Sequence, residues 1–415
     1  MSGQSRMPSP PLSTLDLVCL WMDCPERPLD FALFLDFDGS LGADALRLGA
    51  RSARNLYAQT RCRVVDGCWS ALGPAECEPA FRAITSTDCA ADIERFIKTP
   101  FRPETEPPLR QLWVSDPDTG GGILVTRIHH CAADLISGLA WIRHQLRAAS
   151  GLDEVCAEPT RISVPSLADP PPGAKRNPSW ARCDPLWTRS GELSGERSWT
   201  TFSLEPGPLL GLSRKDAGFT FNDVLVVAAL ETLHESNRIH GEGQRRVGIW
   251  LPVNIRRDPQ VGFGNASSRI RVRRDYRDSA GLVDKCRAVR SQVDLARERG
   301  EWVVPRRTVL SRLPARFGAP LARSYLHRPW ADMGTAAFSH VQRWPGQSDP
   351  VFDGLSGLGV LGAMHKRHAL MLVAVTCSER TWLTITHDPA LLYPEDIDWI
   401  RDQYLGTVAT AVREL

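Results

Sequence analysis

Apolar residues in this chain recur with two different spacings, and each spacing predicts its own kind of element. FALFLDFDG and GGILVTRIHH are short apolar or β-branched runs that read as strands, while LGADALRLGARSARNLYAQT and ADLISGLAWIRHQLRAA place their apolar residues at helical spacing. The pattern dissolves between Ser150 and Trp199, where Pro, Ser, Gly and Asp dominate, as expected of a linker or crossover. Beyond it, Asn222 is expected to cap a helix DVLVVAALETLHES that is apolar nearly all round and therefore buried between layers. A strand RRVGIWLPVNI follows, then mostly helical sequence to about Leu326, then strands around HALMLVAVTC and RTWLTITHD. The closing helix starts at Pro394; Ile397, Ile400, Tyr404, Val408 and Ala411 share one face, and Glu395 and Asp396 suit its positive N-terminal end.

Both halves mix strands and helices in similar order, which predicts an α/β (α+β) protein of two related lobes. A length of 415 residues fits that division, being too great for one ordinary core. We place a disordered lead at 1–11, an N-terminal lobe at 12–170, the linker or crossover at 171–199 and a C-terminal lobe at 200–415.

Composition narrows the partners. Lys+Arg 50 against Asp+Glu 48 gives a net charge of +2, too weak a field to recruit nucleic acid or an anionic membrane. A neutral or small partner is expected. The 11 cysteines are scattered without a CxxC pair, which fits reduced thiols and a cytoplasmic protein. No stretch approaches the roughly 20 apolar residues of a membrane span, and the N-terminus lacks the pattern of a secretory signal. A monomer is expected.

Candidate chemistry concentrates in RIHHCAADLIS, Arg127 to Ser137, where two histidines end an apolar strand and an aspartate follows four residues beyond the second. Histidine is the usual proton-transfer residue near neutral pH, and reactive side chains collect where strands give way to helices. A helix beginning near Ala132 or Ala133 would put Asp134 in its first turn. Three other readings compete. The histidines can be packed, hydrogen-bonded core residues. A metal site of two histidines and a carboxylate needs its ligands on one face, whereas adjacent residues of an extended chain point to opposite sides. A Cys131 nucleophile needs a neighbouring imidazole in contact, which nearest neighbours along a strand seldom achieve.

HHCAADLIS resembles the HHxxxDG signature of the acyltransferase superfamily that includes nonribosomal peptide condensation domains and the wax ester synthase/diacylglycerol acyltransferases. LSTLDLVCLWMD with FALFLDFDG, TFNDVLVVAALETL, LPVNIRRDPQVGFGNASSRIRV and AAFSHVQRWPG follow in the order of the wax synthase-like branch, so the resemblance spans nearly the whole chain. It implies a pair of chloramphenicol-acetyltransferase-like lobes, each a mixed sheet flanked by helices, with the active-site tunnel between them. It also implies a stand-alone acyltransferase, acting in lipid ester or specialised-metabolite assembly. This enzyme would move an acyl group from a coenzyme A or carrier-protein phosphopantetheine thioester to an alcohol or amine, with no bound cofactor and no metal.

Residue by residue, the resemblance makes His130 the general base and His129 its supporting neighbour. Asp134 becomes a structural anchor paired with an arginine, for which Arg256 is the candidate; a solvated strand-end charge is the ordinary alternative for Arg256. Gly264 and Asn265 read as turn chemistry, since both tolerate positive φ. Ser339 is a candidate oxyanion donor, or a strand-end serine bonded to backbone. Two departures stand out. His340 replaces the family's asparagine, and Leu135 replaces the glycine after the aspartate, where a bulky side chain can narrow the channel or demand a different backbone. A degenerate protein that binds a carrier protein or acyl ligand without catalysis is the alternative reading.

Overall fold

The computed structural model describes residues 10–39, 41–174, 183–242, 246–258, 262–302, 320–321, 324, 334–342, 344, 349–352, 354–364 and 368–414. Most of the lead at 1–11, most of the helical sequence expected between 303 and 326, and Pro345 and Gly346 lie outside them.

Two sheets form the frame. The first is ordered Leu355–Leu361, Asp30–Phe37, Gly122–His129, Leu109–Ser115, Phe81–Thr85, antiparallel except for its last pair. The second is ordered Ser198–Leu204, Arg380–His387, Leu370–Cys377, Ala336–Val341, Gly248–Asn254, Ser267–Arg273, with Ala336–Val341 parallel to both of its neighbours. The expected lobe at 200–415 thus gives up Leu355–Leu361, which completes the first sheet. That strand also reaches back: the N–H groups of Val360 and Gly362 donate to the hydroxyls of Thr384 and Thr386 in the second sheet, at 2.9 and 3.0 Å. The expected mainly helical run after Asn254 is interrupted by SSRIRVR, which pairs antiparallel with Gly248–Asn254. Its alternation of Ile270 and Val272 with arginines is the period-two pattern of an edge strand buried on one face only.

The main helices are α1 (Thr14–Met22), α2 (Ala43–Leu56), α3 (Cys89–Lys98), α4 (Leu135–Ala149), α5 (Phe221–Ile239), α6 (Leu282–Glu298) and α7 (Pro394–Glu414). α7 starts where expected, and Ile397, Ile400, Tyr404, Val408 and Ala411 are its buried face. α5 starts two residues early, at Phe221 rather than Asp223. Its cap is Thr220, whose N–H and hydroxyl both donate to Asp223 Oδ2 at 2.8 Å, while Asn222 is released for another contact. α5 is buried along most of its length between the second sheet and α7, as its all-round apolar sequence requires.

The first sheet sets the position of α4, and α2 holds it there. Gln145 donates to the Leu46 carbonyl at 3.1 Å, and Ser52 meets His144 at 2.9 Å. Gly49 permits the crossing, since a Cβ there would lie 2.2 Å from the Gln145 carbonyl oxygen and 3.2 Å from Ala149 Cβ. Gly49→Val is therefore expected to lower unfolding free energy by about 1–3 kcal/mol, the usual cost of overpacking, read from the urea midpoint at unchanged slope.

Candidate active site

The strand Gly122–His129 is paired on both sides and buried at nearly every position, so its end is a fixed point. The chain leaves it through a tight turn: His130 N–H donates to the Leu29 carbonyl at 2.7 Å and Ala132 N–H to the His129 carbonyl at 2.9 Å. α4 then begins at Leu135, two or three residues later than expected. The reason is Asp134, which stays extended (φ −89°, ψ 174°) and serves as N-cap, accepting from the Ser137 N–H at 3.0 Å.

Both oxygens of that carboxylate are further engaged. Arg256 meets it in a two-point contact, Nη2 to Oδ1 at 2.8 Å and Nη1 to Oδ2 at 2.9 Å, and the Ala266 N–H donates to Oδ2 at 2.9 Å. Arg256 Nη2 also donates to the Ser137 hydroxyl at 2.7 Å and the Gly264 carbonyl at 2.8 Å. Gly264 is at φ +139°, a conformation that favours glycine, and a Cβ there would lie 3.0 Å from Pro165. The network is buried and ties the start of α4 to the loop after Asn254. A carboxylate so fully used is built to hold parts together, and Arg256 is its partner rather than a solvated charge.

Asn265 does more than turn the chain. Its Oδ1 lies 3.2 Å from His130 Nδ1, while its Nδ2 donates to the His130 main-chain carbonyl at 2.6 Å and to Asp16 Oδ1 at 2.8 Å. An oxygen facing Nδ1 requires a proton on that nitrogen, which leaves the lone pair on Nε2. Nε2 has no hydrogen-bond partner among the described residues. His130 sits deep in the molecule yet keeps part of its surface open, with the Phe31 ring edge-on at 5.5 Å. Burial holds its pKa below the ordinary 6.5, although Asp134 pulls the other way, so the ring is neutral at physiological pH.

The other residues of the signature divide differently. His129 Nδ1 accepts the Cys131 N–H at 3.1 Å, and its Nε2 lies 3.6 Å from Asp23, so it braces the turn. The Cys131 side chain is buried in an apolar cluster with Leu12, Cys62, Val64 and Trp69. Leu135 is the first helical residue and is not at positive φ, so no glycine is needed there; its half-buried side chain joins the cluster containing Phe31, Phe263 and Leu139.

Ser339 lies on Ala336–Val341 and alternates with Phe338 and His340. Its face is that of Val341, Met371, Val373 and Val375, which join the same cluster from the second sheet, so the serine faces the first lobe. It makes no hydrogen bond with His130 or Asn265. His340 points to the opposite face, with Nδ1 3.2 Å from Asn222 Oδ1 and Nε2 3.0 Å from the Thr376 hydroxyl. Burial pushes its pKa down to about 3. A folded-state pKa below the unfolded 6.5 gives stability that is complete above 6.5 and is lost as pH falls, because only the unfolded chain takes up the proton. Relative to wild type, His340→Gln is thus expected to gain about 1.4 kcal/mol between about pH 7.5 and about pH 5.5, measured by urea unfolding at each pH.

No protein-family model matches the chain, and no curated protein sequence does. Solved structures match along its whole length. The first condensation domain of the calcium-dependent antibiotic synthetase, in complex with a substrate analogue, aligns with a TM-score of 0.70 at 15% identity, covering 98% of this chain and 97% of that one. The starter condensation domain of rhizomide synthetase RzmA, in complex with C8-CoA, aligns at 0.67 and 15% identity, covering 98% and 95%. This chain has the condensation-domain fold. The epimerization domain from the third module of tyrocidine synthetase B shares it at a TM-score of 0.62 and 12% identity, with 97% and 98% covered. The two chloramphenicol-acetyltransferase-like lobes expected from the sequence are the lobes of this condensation fold, and His130 lies where loops from both meet.

Proposed function

We propose that this protein is an acyltransferase that joins an acyl group from a thioester donor to an alcohol or amine, with His130 as general base. The observation that carries this reading is the state of His130: an imidazole kept neutral by burial, its Nδ1 turned to Asn265, its Nε2 unpartnered and its surface partly open. In the reaction, the acceptor's oxygen or nitrogen attacks the thioester carbonyl carbon while Nε2 takes its proton. The tetrahedral intermediate then expels the sulfur, the C–S bond breaks, and the imidazolium returns the proton to the thiolate. Ser339, on the face turned to the first lobe, is the proposed donor to the developing oxyanion.

The coordinates of similar folds support the choice of donor class, since one such domain is solved with C8-CoA and with both C8-CoA and Leu-SNAC. The donor proposed here is accordingly acyl-CoA or an acylated carrier protein. Release of free thiol from acyl-CoA with an amine or alcohol present tests the reading: turnover by wild type supports it, and donor binding without thiol release supports the non-catalytic alternative.

A further inference from the structure

Asn265 is held in turn by a carboxylate that the proposed reaction does not use. Asp16 lies on α1, is 4% exposed, and forms the capping box with Ser13: Ser13 N–H donates to Asp16 Oδ2 at 2.9 Å and Asp16 N–H to the Ser13 hydroxyl at 3.2 Å. A capping box works equally well at a protein surface, and burying a carboxylate is costly unless a partner compensates it. The compensating partner is Asn265 Nδ2, at 2.8 Å from Asp16 Oδ1.

The consequence concerns which way round Asn265 sits. The oxygen and nitrogen of a carboxamide have nearly the same shape, so hydrogen-bond partners decide the orientation. One end faces Asp16 and the His130 main-chain carbonyl, both acceptors; only Nδ2 fits there. Oδ1 is then forced toward His130 Nδ1. Turning the amide over would press an oxygen against both acceptors and offer Nδ1 a donor, moving the ring proton to Nε2 and abolishing the base. Burial pushes Asp16 up to about 6, so above that pH it is an anion that accepts and cannot donate.

We propose that Asp16 is a positioning residue which, through Asn265, fixes His130 in the tautomer with hydrogen on Nδ1 and the lone pair on Nε2. This deepens the reading of His130 as base and rests on it for its catalytic meaning, while the tautomer itself can be measured without turnover. The test uses the full chain, 15N-labelled, with long-range 1H–15N spectra of the histidine rings at about pH 8, alongside kcat and KM for thiol release. Wild type should show His130 protonated at Nδ1. Asp16→Ala should bring in an Nε2–H population and lower kcat on the order of tenfold, with KM little changed. Asp16→Leu, which fills the same space with an apolar side chain, serves if the alanine variant does not fold. Ser13→Ala removes the other half of the capping box and should lower only the thermal midpoint. A folded Asp16 variant whose His130 stays wholly Nδ1–H overturns the inference, as does Ser13→Ala shifting the tautomer as far as the Asp16 variants do. Absence of thiol release by wild type would sink the base assignment instead, leaving the ring spectra to decide the role of Asp16.

Discussion

Replacing His130 by alanine is expected to slow acyl transfer by about 10² to 10⁴-fold while leaving the protein folded, because that is the usual worth of a positioned general base. Among other side chains, the ring hydrogen-bonds to Asn265 and meets Phe31 edge-on. The main-chain bonds that shape the turn, from His130 N–H to Leu29 and from Ala132 N–H to His129, do not depend on the imidazole. Circular dichroism and the urea midpoint should therefore stay near wild type. Thiol release is the readout, and near-normal turnover in a folded His130→Ala protein would remove the base assignment.

The second large effect lies in stability. Asp134→Ala leaves Arg256 buried without its counter-ion and removes the N-cap of α4 at the same time. Breaking a buried pair from one side costs about 3–5 kcal/mol, against a total stability of only about 5–15 kcal/mol, so low soluble yield and an early urea transition are expected. Removing both charges in Asp134→Leu with Arg256→Met should cost less than Asp134→Ala alone, since no charge is then stranded. Turnover per folded molecule should fall far less than in His130→Ala, because Asp134 makes no hydrogen bond to the His130 ring. Equal loss of kcat in the two single variants would contradict this division of roles.

How much of this was legible in the sequence depends on the range of the interactions involved. The strand before His129 and the helix from Pro394 are local patterns, and both are found where periodicity puts them. The edge strand Ser267–Arg273 carries only a short apolar signal, since three of its seven residues are arginines and only Ile270 and Val272 are buried. Leu355–Leu361 could not have been assigned to the first sheet, since its partner Asp30–Phe37 is remote in the chain and nothing local records that pairing. The helix starts differ from the apolar spacing by two or three residues, at Thr220 and Asp134, where side-chain hydrogen bonds set the start.

In the site, Asp134 and Arg256 were paired in advance only through the order of family-like motifs. Asparagine after glycine has the local meaning of a turn, whereas the contact of Asn265 with His130 joins residues 135 positions apart. Ser137 and Asp16 carried no signal at all beyond being possible helix-start residues. Leu135 stands where the signature has glycine, but a glycine is required only where φ is positive, and the first turn of α4 is not such a place.

The central claim is tested most directly by presenting wild type and His130→Ala with acyl-CoA and acyl-carrier donors against amine and alcohol acceptors, and reading products by intact mass. The account predicts an ester or amide whose mass equals donor acyl plus acceptor, formed by wild type and reduced at least about 10²-fold in the variant. Donors bound but returned unchanged by wild type, or the same product formed equally fast by both proteins, would contradict it.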